Sequence, residues 1–304
     1  MQFFLEVLIG GLLSGIMYSL VALGFVLIYK ASGVFNFAQG AMVYFAALSL
    51  VGFMAKGVPF WLAFILAFVL MTMLGVATEK FVLRKMVNQA PIALFMATIG
   101  LAFFIEGFAP LLWGNEVREL NIGLVDQPIS YFLDNFNMVI SSFDLTAAGL
   151  ALCLVALLAL FFQYTRVGRA LRAVADDHQA ALSIGIPLQH IWAMVWAVAG
   201  FVALVAGMLW GSRNGVQFAL TFTALKALPV LILGGFTSVP GAIVGGLIIG
   251  ASEKLAEIYI PPVLGGWFGG NFGGIEGWFP YVMALLFLLV RPEGLFGEKH
   301  IDRV

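Results

Sequence analysis

Charge is what this chain has least of. Asp, Glu, Lys and Arg make up 10% of its 304 residues and hydrophobic types 62%, where an ordinary soluble domain carries about 25% charge. That leaves too little polar surface to clothe a soluble fold of this length, and lipid is the solvent that fits. A net charge of −1 offers no basic patch to neutralise phosphates, so no nucleic-acid partner is expected. Cys153, in an apolar run, is the single cysteine, which excludes an intramolecular disulfide and leaves the redox compartment unread. His178, His190 and His300 are scattered without ligand spacing, so no metal site is expected. No G-x-x-x-x-G-K-[ST] run occurs, and no Ser/His/Asp set is placed for catalysis. The chain therefore does not read as an enzyme and needs no cofactor of its own; any ATP it depends on is hydrolysed by another subunit.

Apolar length is what the chain has in abundance. A helix needs about 20 apolar residues to cross the hydrocarbon core. Runs of that order with little or no charge fall at 7–29, 36–55, 59–78, 91–113, 145–165, 189–211 and 235–252, with shorter ones at 216–233 and 278–290. No Lys or Arg precedes the first run, which is too long for a signal-peptide core and reads as a retained span. Small residues punctuate most runs, as helix contacts in lipid require. The fold class that follows is an all-α polytopic membrane protein of about eight or nine transmembrane helices. Some of its short segments are broken or re-entrant, and residues 1–304 form a single transmembrane domain.

The few charges orient it. Lys80, Arg84 and Lys85 share one loop, Arg166, Arg169 and Arg172 another, and Arg291, Lys299 and Arg303 the tail. By the positive-inside rule these loops and the C-terminus are cytoplasmic. The connection at about 114–144 is acidic (Glu116, Glu119, Asp126, Asp134, Asp144), with Arg118 its only base, and reads as external. Glu106, Arg213, Lys226, Glu253 and Lys254 lie in or near spans. A charge at mid-bilayer costs about 2.5–3.5 kcal/mol on insertion scales, so such residues face a partner or a cavity. Both a structural role and a place on a substrate path are open to them.

Two interruptions stand out. Asn36-Phe37-Ala38-Gln39-Gly40 separates the first two apolar runs; an Asn, a Gln and a glycine there suggest either a cytoplasmic turn or a broken helix near a translocation path. The second is the connection at about 165–188. From Thr165 to Asp177 its basic side chains recur every three residues among alanines and aliphatics, the stripe of a short amphipathic helix on the membrane face. Gly185 and Pro187 supply its stop.

Gln179-Ala180-Ala181 with Gly185 resembles the E-A-A-x-x-x-G loop of bacterial ABC importer permeases, with Gln in place of the leading Glu. Five further stretches occur in order: Asn36–Gly40, Arg166-Val167-Gly168-Arg169-Ala170-Leu171-Arg172-Ala173, Leu233-Gly234-Gly235, Ser238-Val239-Pro240-Gly241-Ala242 with Gly245-Gly246, and Arg291-Pro292-Glu293-Gly294-Leu295-Phe296-Gly297. Together they make the whole chain similar to the shorter, H-type permease of branched-chain amino acid ABC importers. The resemblance implies a cytoplasmic coupling helix that meets the ATPase through Arg169, Arg172, Asp176, Asp177, Gln179, Ala180, Ala181 and Gly185. It implies a second permease subunit, two cytoplasmic ATPase subunits, a periplasmic substrate-binding protein and the bacterial inner membrane. Asn36, Gln39, Glu106 and Lys226 are the candidates for the translocation path.

The rival is a self-contained ion-coupled secondary transporter or channel, which needs a mid-span relay of carboxylates or cations; Glu106 and Lys226 alone could serve it. Two smaller features remain. Gly75-Val76-Ala77-Thr78-Glu79-Lys80 is echoed by Gly250-Ala251-Ser252-Glu253-Lys254, as an inverted repeat would be and as chance would also give. The stretch 265–274, rich in glycine and aromatics, reads as an interfacial loop held by Trp267 and Trp278.

Overall fold

The computed structural model describes residues 2–86, 89–176, 181, 183, 185–268 and 273–297. Helix α1 runs Gln2–Ser32, α2 Gln39–Ala55, α3 Phe60–Phe81 (with a 3-10 turn at Leu83–Met86), α4 Pro91–Trp113, α5 Ser130–Phe136 and α6 Ser142–Tyr164. Then come α7 Arg166–Asp176, α8 Leu188–Asn214, α9 Leu220–Leu225, α10 Ala227–Gly234, α11 Val239–Phe268 and α12 Ile275–Val290. Among the described residues the only pairing of extended backbone is at two isolated antiparallel bridges, Arg118–Val216 and Pro128–Ser141. The protein is all-α and multi-pass.

Helices α1, α3, α4, α6 and α8 are long and apolar enough to cross a membrane. The α9–α10 stretch and α11 form a pair bent by 114°, and α2 and α12 are shorter apolar helices. Each apolar run of the sequence thus coincides with a helix or a helix pair, and the 216–233 run is indeed broken, at Lys226. Several boundaries differ by a few residues. Helix α1 begins at Gln2 rather than 7, α2 at Gln39 rather than 36, α9 at Leu220 rather than 216 and α11 at Val239 rather than 235. The largest difference is that α11 continues past residue 252 to Phe268, through Glu253, Lys254 and Glu257. Those charges do not end it because they are neutralised, Glu253 by Lys226 at 2.9 Å and Lys254 by Glu257 at 2.7 Å. The stretch expected as a loop from residue 265 is therefore helical up to Phe268, while residues 269–272 lie outside the described set. Trp267 is 78% exposed.

The chain packs as two compact units: residues 1–22, 123–155 and 226–304 make one, residues 23–122 and 156–225 the other. In the second unit α2 is the central helix, packed by α3, α4, α8 and α9 and buried from Gln39 to Gly52. Glycines set the spacing there. A Cβ on Gly207 would strike the Val43 carbonyl, and one on Gly75 would come within 2.7 Å of the Trp196 carbonyl. In the first unit α10, α11 and α12 pack on one another. Gly11 and Gly15 of α1 meet Gly246 and Gly250 of α11 so closely that backbone touches backbone. This is the small-residue contact that membrane helices use in place of a hydrophobic drive.

Burial separates the helices into two kinds. The apolar window of α1 is 89% buried and that of α8 72%, against 22% for α3 and 17% for α4. The bare apolar faces, with Phe103 and Leu111 among them, are surface that a bilayer or another membrane chain must cover.

Candidate functional site

The first interruption of the sequence is a helix break closed by side chains. Helix α1 stops at Gly33, whose φ of +65 places it in the left-handed region while its N–H donates to the Tyr29 carbonyl at 2.8 Å, a glycine C-cap. The Ala31 carbonyl accepts from the Trp192 indole at 2.9 Å. Past the break, the Asn36 carboxamide oxygen accepts the Ala38 N–H at 3.1 Å and its nitrogen donates to Gln39 Oε1 at 3.2 Å. Thr98 of α4 accepts from the Phe37 N–H at 3.3 Å and donates towards the Phe35 carbonyl at 3.1 Å. Asn36 and Gln39 are wholly buried. The Gln39 amide lies against Gly24, where a Cβ would force it to move. Beside the break lies a cavity of about 550 Å³ walled by Tyr29, Phe35, Ile92 and Phe95.

The second interruption is a corner. Helix α7 is the short amphipathic helix its polar stripe announced, with Leu171 and Val174 buried on the face towards α8. Thr165 caps it, its hydroxyl accepting the Gly168 N–H at 3.1 Å. Arg172 donates to the Phe162 carbonyl at 2.8 Å and the Gln163 carbonyl at 3.2 Å, and Arg169 to the Tyr164 carbonyl at 3.2 Å. These are the orphan carbonyls at the end of α6, where a cation is also favoured by the helix dipole. Gly168 lies so close to the Phe162 carbonyl that no side chain fits. Arg169 and Arg172 therefore hold α7 to α6. Ala181 is buried, and the exposed Gly185, at φ +82, lies within the turn closed by Ile186 N–H on the Ala181 carbonyl. Asp176 ends α7; Asp177, Gln179 and Ala180 lie outside the described residues.

The remaining path candidates separate. Glu106, on α4, is partly exposed, forms no ion pair among the described residues, and lies near Tyr44. Lys226 stands at the break between α9 and α10 and is paired with Glu253, which also accepts from the Tyr18 hydroxyl at 3.3 Å. Asn36 and Gln39 are thus brought together, and Lys226 is matched with a carboxylate that the path assignment omitted. Lys226 and Glu253 were each visible as charges in or beside apolar runs, though not as partners; nothing in the sequence signalled Tyr18 or Thr98. At the end of α3 the buried Glu79 is held by Arg84 at 3.0 and 2.8 Å.

The profile of the family described as the permease component of branched-chain amino acid transport systems matches residues 7–290. The chain is similar to the high-affinity branched-chain amino acid transport system permease protein LivH of Escherichia coli K12, 27% identical over 99% of this chain and 98% of that one. It is 26% identical, over the same shares, to the permease protein BraD of Pseudomonas aeruginosa. The fructose import permease protein FruF of Bifidobacterium longum is 23% identical over 78% of this chain and 66% of its own.

Proposed function

We propose that this chain, which belongs to the branched-chain amino acid transport permease family, is the membrane-spanning subunit of an ATP-driven importer for a small amino-acid-like solute. A branched-chain or other hydrophobic amino acid is the cargo. The chain sits in a bacterial inner membrane with its C-terminus in the cytoplasm. It works beside a second permease subunit, two cytoplasmic ATPase subunits and a periplasmic binding protein. ATP is used by the ATPase subunits alone. The binding protein selects the solute and docks on the external side, on a surface that includes the acidic 114–144 connection.

The observation that carries this reading is the α6–α7 corner. An importer driven from a separate subunit needs a cytoplasmic element that moves as one piece with a span, because a push on a loose loop is dissipated. Arg172, Arg169, Thr165 and Gly168 make such a piece: they clamp α7 onto the last carbonyls of α6. Closure of the ATPase subunits then biases the spans between two packed arrangements. The self-contained transporter is supported less well, since Lys226 is already neutralised by Glu253 and Glu106 has no relay partner among the described residues.

The test is a mild-detergent pull-down of the tagged chain from its host. An ATPase and a second permease recovered in comparable amounts support the reading. A chain that purifies alone and transports without ATP sinks it.

A further inference from the structure

We infer that Lys226 and Glu253, with the Tyr18 hydroxyl, form a contact site for the two charged ends of a zwitterionic solute in passage. This rests on the importer reading and assigns to these three residues the contact with the ammonium and carboxylate groups of its amino-acid cargo.

Placement is the first argument. Lys226 lies in the 220–234 stretch, at the start of α10, where its backbone keeps helical angles (φ −60, ψ −15), and Glu253 lies halfway along α11. The 220–234 stretch and α11 meet at a bend of 114°, and ionisable residues carried into apolar helices at such a re-entrant pair are costly unless they are paired or used. The two residues are 27 positions apart in sequence and meet at 2.9 Å.

The second argument is an unused valence. Glu253 is 4% exposed, and only its Oε1 is engaged, by Lys226 at 2.9 Å and Tyr18 at 3.3 Å. Its Oε2 is buried without a hydrogen-bond partner among the described residues. A buried carboxylate oxygen left bare is destabilising, whereas the other buried glutamate, Glu79, has both of its oxygens engaged by Arg84. The Lys226 side chain, in contrast, is 25% exposed, so the cation can be reached while the anion waits behind it.

Zwitterion chemistry fits that arrangement. A solute carboxylate approaching the exposed side of the Lys226 ammonium lets the Lys226–Glu253 pair part without stranding a cation, and the freed carboxylate takes the solute ammonium. One ion pair is exchanged for two, and no uncompensated charge is left within the span. A neutral amide can hydrogen-bond to both partners but supplies neither charge, so parting the pair for it leaves both ions uncompensated.

The experiment uses the complete importer in proteoliposomes with saturating leucine-loaded binding protein, and measures leucine import and stimulated ATP hydrolysis side by side. Glu253→Gln, whose amide oxygen still accepts from Lys226 and Tyr18, is expected to lower the import rate about tenfold while stimulated hydrolysis stays within about twofold. The charge swap K226E/E253K is expected to assemble like the wild type and still not restore import, because it presents the two ends of the solute with the wrong signs. Import at the wild-type rate by the swap would mean the pair is a strut, and would overturn the inference; so would unchanged import by Glu253→Gln. Should Glu253→Gln fail to assemble, Tyr18→Phe is expected to lower import by about threefold, and unchanged import there counts against the site. A wild-type complex that imports uncharged solutes but no amino acid overturns this inference alone. One that imports nothing with ATP overturns the importer reading and this inference with it.

Discussion

The chain writes nearly the same phrase twice, and the two copies hold their glutamates differently. In Gly75–Lys80 and Gly250–Lys254 a glycine precedes a glutamate by four and three residues, so in each helix the two share one face. The glycine of each makes a backbone contact, Gly75 with Trp196 and Gly250 with Gly11 and Gly15. The glutamate of each is buried. Yet Glu79 takes both bonds from Arg84, five residues on and 38% exposed at a helix end. Glu253 is held at one oxygen by the lysine that caps α10 and by a tyrosine of α1. The first is a local corner, closed by residues that are neighbours in any conformation. The second exists only when α1, α10 and α11 are assembled.

That contrast sets the size of what mutation should do. Glu253→Ala strands the Lys226 ammonium among buried helices and should cost about 3 kcal/mol, read as a fall in the melting temperature of the purified chain in detergent by tryptophan fluorescence. The double variant Lys226→Met, Glu253→Leu should recover most of that loss, because removing both partners leaves no bare charge. If the double variant is as unstable as the single, an unpaired charge is not what makes this pair costly to break. Gly250→Ala comes next, at about 2 kcal/mol: its methyl would press on the backbone of Gly11 and Gly15, which cannot rotate away. The abundance of full-length protein in membranes checks it, and wild-type abundance would show that α1 and α11 can separate slightly at no cost. Glu79→Ala should cost clearly less than Glu253→Ala, since the Arg84 it abandons can turn to water.

The same contrast explains what could be read from the sequence. Helices were legible because lipid demands long apolar runs, and α7 because its arginines recur at helical spacing. The break at Asn36 was legible from residue type, but its start was misplaced by three residues, because Asn36 and Phe37 belong to the cap and not to α2. Helix α11 was cut short at residue 252 because Glu253 and Lys254 interrupt the apolar run; Glu253 was marked as needing a partner, but that the partner is Lys226, 27 residues away at no regular spacing, could not be read. Arg169 and Arg172 were picked out as contacts to another subunit, and their reach to main-chain carbonyls of α6 could not have been read, since main-chain acceptors leave no mark in a sequence. Local geometry is written in periodicity, and tertiary pairing is not.

The smallest effect expected is that of Arg84→Lys, and it sharpens the comparison most finely. Arg84 reaches Glu79 through Nε and a terminal nitrogen, at 3.0 and 2.8 Å, so the fork satisfies both carboxylate oxygens. A lysine keeps the positive charge and can make one of those bonds, leaving the other oxygen for water at the helix end. The melting temperature should fall by no more than about 2 °C, less than for Glu79→Ala, because the buried carboxylate keeps a cation beside it. A fall as large as that of Glu79→Ala would mean that the two-pronged geometry, and not the charge, secures this corner. Glu253, held by a lysine at one oxygen only, would then be under-supported by the same measure, as a site that must release its partner has to be.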